Sequence, residues 1–273
     1  MALSFASFPL DRRGNTVNYT LRTLRTATVE VPYPEVYWME RFQEWTTLEF
    51  QMAVIQGGGK TVLVNTGFPE DISGIAKGWR DYLGERAVLR RPEAWKTQPA
   101  LHAAGIDPAS VDLVLITPIQ IYTTGNLRLF SKAKICVSRR GWIEDIIAPT
   151  YPHHVPRQGC ISDEDLCWLL GENHANFHLL EDVEEVLPGL ACRWAGVHHR
   201  SSLLVEVQTT RGLAVLSDCA FHFANVEEMR PLGIAESILE AHNVYRDIRA
   251  RTQHFIPLYE PKVHERYPGG IIA

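Results

Sequence analysis

The chain has 273 residues, 45% hydrophobic and 22% charged. That is the balance of an ordinary soluble globular protein, able to bury roughly three quarters of its unfolded surface without a disulfide or a structural metal. The formal net charge of −5 argues against non-specific binding to nucleic acid or anionic membranes. The arginine pairs at 90–91 and 139–140 lack interleaved aromatics and read as solvated surface. No apolar run approaches the ~18 residues of a membrane span. The start, MALSFASFPLDRRGN, has neither the basic n-region nor the long apolar core of a signal peptide. The five cysteines, Cys136, Cys160, Cys167, Cys192 and Cys219, are odd in number and contain no C-x-x-C. Free thiols in a reducing cytoplasm are expected.

Residues 47–55 (TLEFQMAVI) and 61–65 (TVLVN) are apolar, β-branched runs separated by Gly57-Gly58-Gly59-Lys60, which predicts a hairpin. Residues 72–88 and 92–104 read as helical, the second stopped by Gly105. Residues 112–117 and 134–138 read as short buried strands. The stretch 141–178 carries Pro149, Pro152 and Pro156 and reads as an insertion with some helix at 162–170, within one domain spanning 1–273. Residues 203–208 and 213–217 predict a second hairpin. Ile234, Ile238, Ala241, Val244 and Ile248 fall at helical spacing over 234–251. Residues 254–257 (HFIP) close the series as a strand. Two strand-rich halves, each followed by helices, suggest two packed mixed sheets with helices outside.

Five landmarks then fall in order: VLVNTG (62–67), AAGIDPASVDLVLITPIQIYTTGN (103–126), AGVHHRSS (195–202), LAVLSDCAFHFANVE (213–227) and IPLYEPKVHERYP (256–268). Together they resemble the metallo-β-lactamase-fold superfamily, and within it the N-acyl-homoserine lactonases and related lactone or ester hydrolases. The resemblance runs from about residue 45 to the end. It implies an αββα sandwich of two mixed β-sheets flanked by helices. It also implies a loop H-x-H-x-D-H, a later His, a bridging Asp and a last His that bind two metal ions, usually zinc, which activate a water.

Laid on that motif, this chain departs from it. Pro118 and Gln120 stand at the first two His positions, Tyr122 at the Asp, Thr123 at the third His and Tyr259 at the last. The Asp of the family's D-T-G is Asn65. His198 and Asp218 match the later His and the bridging Asp. A catalytic zinc takes at least three protein ligands, and these two supply too few. No family-like dinuclear site is expected, and the cofactor expectation is none. The alternative is a single metal held by His198, Asp218 and the two tyrosines as phenolates.

His198 with Asp218 reads either as a metal-free dyad, His198 acting as general base, or as a buried pair kept because an Asp needs a partner. Tyr122 and Tyr259 are candidate acid or oxyanion donors, or rings filling the place of the metals. Gln120, Thr123, His199, Phe221 and His222 are candidate substrate contacts, although Thr123 also suits a backbone-bonded loop hydroxyl. His153, His154, His174 and His178 fit no ligand spacing and read as surface. Trp142, Trp168 and Trp194 read as core or pocket wall. The leading expectation is a metal-independent, lactonase-like hydrolase of a small lactone or ester. The alternative is a catalytically silent pseudoenzyme acting as a small-ligand-binding module or partner subunit. Expected partners are a small molecule, neither nucleic acid nor membrane, and a second copy in a homodimer. Aromatic-rich 33–45 (YPEVYWMERFQEW) is the candidate contact surface or pocket lid.

Overall fold

The computed structural model describes residues 17–148 and 157–273. Its strands are β1 (Thr20–Pro32), β2 (Trp45–Gly57), β3 (Lys60–Val64), β4 (Leu113–Leu115), β5 (Lys134–Ser138), β6 (Phe177–Leu180), β7 (Val183–Leu187), β8 (Leu190–Trp194), β9 (Leu203–Thr209), β10 (Gly212–Ser217) and β11 (His254–Pro257). They form a six-stranded sheet, β1-β2-β3-β4-β5-β6, and a five-stranded sheet, β11-β10-β9-β8-β7. Both sheets are mixed: β1, β2 and β3 pair antiparallel, while β3 to β6 run parallel. The αββα expectation holds.

The apolar runs explain the layering. Leu48 to Ile55 of β2 are buried without interruption, the mark of a strand covered on both faces. One core, including Val62, Leu115, Val205 and Leu216, lies between the sheets. A second, including Leu101, Val114, Phe130 and Ile135, lies between the larger sheet and the elements packed on its outer face. The hairpin at Gly57-Gly58-Gly59-Lys60 forms as expected, with Gly58 and Gly59 at φ 58 and 74, conformations that cost glycine little.

Several boundaries moved. Helix Ser73–Leu83 stops at Gly84, and the second expected helix breaks at Lys96 into Glu93–Trp95 and Thr97–Ala103. Helix Ile238–Arg251 begins four residues late, because the Ser237 side chain accepts from Glu240 N and caps it there. The unanticipated strands are β1, β6, β7 and β8. The 13-residue β1 is amphipathic with polar interruptions, and β7 is largely exposed, so neither carries an apolar run. β6 starts inside the expected insertion. Trp142–Ile147 is a π-helix. His153 and His154 lie outside the described residues.

Candidate functional site

The motif positions converge at one end of the sandwich, on the loops that follow β3, β4, β8, β10 and β11. At the centre is Asp218, fully buried one residue past β10. Its Oδ1 accepts from Thr117 Oγ1 at 2.5 Å. Its Oδ2 accepts from Ser202 Oγ at 2.5 Å and from His198 Nδ1 at 3.1 Å. Thr117 Oγ1 in turn accepts from Leu203 N at 2.8 Å, linking the two sheets. A buried carboxylate needs such donors, and Asp218 has three.

His198 sits on a strained support. Val197 adopts φ 70, a conformation that β-branched residues rarely take, and His198 N donates back to Gly196 O at 2.9 Å. Glu240 holds this turn: its Oε2 accepts from Val197 N at 2.9 Å and from Arg200 Nη2 at 2.6 Å. Among the described residues nothing bonds His198 Nε2. The His198 ring lies edge-on to Phe221 (4.7 Å between centroids) and against His199 (4.1 Å).

The 117–126 loop, where the sequence resemblance implies metal ligands, is held by hydrogen bonds within itself and to Asn65 and Cys160. Asn65, at φ 63, accepts from Thr117 N with Oδ1 and donates to Thr117 O with Nδ2, both at 2.8 Å. Only an amide can make this reciprocal pair, since a carboxylate would lack the donor. Thr123 Oγ1 accepts from Gln120 N and lies 2.6–2.7 Å from the carbonyls of Pro118 and Gln120. Thr124 Oγ1 bonds Gln120 O and Cys160 O, each at 3.0 Å. Gln120 Nε2 points to Cys160 Sγ at 3.5 Å. Asn126 Nδ2 reaches Thr66 O, Phe68 O and Thr97 Oγ1.

Around these groups six aromatic side chains from separate segments pack together. Phe50 of β2 lies 4.8 Å from Tyr259, 5.2 Å from Tyr122 and 5.2 Å from Phe68. Trp79 of Ser73–Leu83 stacks on Phe50 at 5.5 Å, and Phe221 meets Tyr259 at 4.8 Å. Burial pushes both phenols well above the usual tyrosine range, so they are donors and not bases. Each ring perturbs the other, yet no well-aligned hydrogen bond joins them, and Tyr259 Oη is buried without a partner. Asp218, Tyr259, Phe221 and His198 are 0, 1, 3 and 5% exposed. Two shallow clefts of about 220 and 230 Å³ lie elsewhere, one beside Arg22 and Ile271, the other beside Ile248 and Phe255.

The structure therefore brings His198, His199, Asp218, Tyr122, Tyr259 and Phe221 together. It directs Thr123 inward onto its own loop and Gln120 onto Cys160. His222 is near in sequence but differently employed: Nε2 donates to Thr47 O and Nδ1 accepts from Tyr37 Oη, both at 3.0 Å. Burial lowers its pKa and keeps the ring neutral. Asn65, Thr117, Ser202, Glu240 and the rings of Phe50, Phe68 and Trp79 complete the cluster. Asn65 was visible in the sequence as a replaced acid, but its amide clamp required the partner strand. Of the other expectations, Cys219 is a buried thiol raised by desolvation, and His178 pairs with Glu184 at 2.6 Å.

The donor set does not fit the metals that the fold family implies. Both Asp218 oxygens and His198 Nδ1 are engaged with each other and with hydroxyls, Gln120 faces Cys160, Thr123 faces its own loop, and the tyrosines hold their protons. Among the described residues, no three His, Cys, Asp or Glu side chains are grouped to hold a metal ion.

No family profile and no curated protein matches the sequence. Solved structures do. An N-acyl homoserine lactone hydrolase with N-hexanoyl-L-homoserine at its catalytic metal centre superposes with a TM-score of 0.74 at 15% identity, over 92% of this chain and 96% of that one. A Bacillus thuringiensis AiiA variant with N-decanoyl-L-homoserine bound gives 0.74 at 16%, with the same coverage. A probable metal-dependent hydrolase from Staphylococcus aureus gives 0.69 at 13%, over 89% and 90%. The chain thus has the metallo-β-lactamase fold of these hydrolases, with a hydrogen-bonded and aromatic core at the end of the sandwich where His198 and Asp218 meet.

Proposed function

We propose that this protein is a catalytically silent protein of the metallo-β-lactamase fold that acts by binding, as a partner subunit. What carries the reading is the packing over His198 and Asp218. Six aromatic side chains converge where a carbonyl substrate and an activated water would need space, and the groups beneath them are nearly inaccessible. Metal-activated attack requires a ligand set with an open position. The Asn65–Thr117 pair and the three donors on Asp218 are matched within the fold.

A second reading has one specific observation behind it: Asp218 holds His198 Nδ1 while Nε2 is unengaged. That is the polarity of a general base, with the Tyr259 hydroxyl as a proton donor. It is the metal-independent lactone or ester hydrolase, and it requires the aromatic plug to open.

One assay separates the two. Full-length protein is incubated with N-hexanoyl homoserine lactone and with p-nitrophenyl acetate, with and without added zinc, beside His198→Ala. Rates equal to buffer in every arm support the silent reading. Turnover that His198→Ala abolishes overturns it in favour of the metal-free hydrolase. Turnover that appears only with zinc overturns both.

A further inference from the structure

The aromatic packing over His198 has one weakly held member. Trp79 covers Phe50, Phe68 and Tyr122, at 5.5, 5.9 and 5.9 Å between centroids. Phe50 and Tyr122 lead inward to Tyr259, whose ring lies 6.0 Å from His198. Trp79 belongs to helix Ser73–Leu83, in which no residue is buried. An apolar stripe attaches this helix: Ile72, Ile75, Ala76, Trp79 and Leu83 rest, partly buried, on the core between the sheets. Among the described residues, no side-chain hydrogen bond or ion pair joins 73–83 to anything beyond Asp71, and Lys77 and Asp81 pair with each other. The helix start is poorly capped. The Ile72 side chain caps nothing, and Asp71 Oδ1 takes the Ser73 amide at 2.8 Å, whereas a good cap reaches the second or third amide. The middle carries Gly74 and Gly78. A Cβ at either would meet nothing within 4 Å, so packing asks for no glycine there, and each weakens the helix relative to alanine.

We propose that helix Ser73–Leu83 is a lid. It opens as a unit while both sheets stay folded, and lifting Trp79 is the way by which the His198–Asp218 end is reached from solvent. Segments with few buried apolar contacts open at free energies below that of global unfolding, and such segments gate sites. The limits of the moving stretch are fixed. Arg91 pins the carbonyls of Pro69 and Glu70 at 2.6 and 2.5 Å, so movement begins past Glu70. It ends before the buried Ala87, and Gly84, at φ 106, supplies a backbone that turns at little cost. The lid stands under either reading of the site, because it governs access and not chemistry.

The test is native-state hydrogen exchange of the full chain across sub-denaturing urea, read by mass spectrometry. Amides of 77–84 should exchange together, well before those of β9 and β10, with a urea dependence that marks newly exposed apolar surface. Gly78→Ala should slow that exchange by about fivefold, and adding Gly74→Ala should slow it about as much again. Carbethoxylation by diethyl pyrocarbonate then reads access to His198, whose Nε2 is unengaged. His222, with both ring nitrogens bonded, is the control for global opening. His198 should be modified ahead of His222, and Gly78→Ala should slow it by the same factor as the helix amides. Amides of 77–84 that exchange only with β9 and β10 overturn the lid. So do amides that fray singly with no urea dependence. A His198 modified no faster than His222, or at one rate in wild type and Gly78→Ala, overturns the helix as the way in.

Discussion

Two loops leave the same end of the larger sheet and treat their side chains in opposite ways. The 117–126 loop turns Thr117, Gln120, Thr123 and Thr124 inward, where their hydroxyl and amide groups bond backbone, Cys160 Sγ or Asp218. The 37–44 loop turns Trp38, Met39 and Phe42 outward. The first lies where the sequence resemblance puts metal ligands, yet it is satisfied by its own fold. The second has no matched motif, yet its apolar atoms are left in water. Exposed apolar surface is where a partner would gain free energy, whereas the inner loop already bonds its polar groups within the fold.

The largest test of that contrast is Asp218→Ala. It strands Thr117 Oγ1, Ser202 Oγ and His198 Nδ1 in a buried site and should cost on the order of 3–4 kcal/mol, read as a fall in the urea midpoint. A loss under 1 kcal/mol would mean the site is wetter and more open than the packing implies. Next is Asn65→Asp, which keeps the left-handed backbone tolerable but removes the donor to Thr117 O. A loss of about 2 kcal/mol is expected.

The buried tyrosines sharpen the point. Tyr245 Oη donates to Cys219 O at 3.0 Å, so Tyr245→Phe should cost about 1 kcal/mol. Tyr259 Oη has no well-aligned partner among the described residues, so Tyr259→Phe should leave the thermal midpoint unchanged or raise it. A clear loss in Tyr259→Phe would reveal a bound water or ligand on that hydroxyl.

His222 links the loops through Tyr37 and gives a pH signature. Burial lowers its folded pKa, so on acidification the unfolded chain takes up the proton first. Stability is then full above the ordinary histidine value of about 6.5 and is lost as pH falls below it. His222→Gln should flatten that part of the stability profile. The smallest effect belongs to the outer loop. Met39→Ser and Phe42→Ser should change monomer stability by no more than about 0.5 kcal/mol each, measured at concentrations below any self-association.

The sequence by itself determined most of the fold. The runs at 47–55, 61–65, 134–138, 203–208 and 213–217 are apolar and β-branched because those strands are buried, so their pattern is local and visible. β1 and β7 escaped notice because each has a partly solvated face and mixes charge into the strand. The sequence also showed that Pro118, Gln120, Tyr122, Thr123 and Tyr259 stand where ligands would, and that His198 and Asp218 are retained. It could not show what the replacements do. Whether Tyr122 and Tyr259 line a cavity or fill one depends on Phe50, Phe68, Trp79 and Phe221, which come from distant segments. Whether Asn65 is a lost acid or a clamp depends on Thr117, 52 residues away. Hydrogen-bond satisfaction and packing are set by which atoms meet across the sheets, and only the tertiary structure decides that.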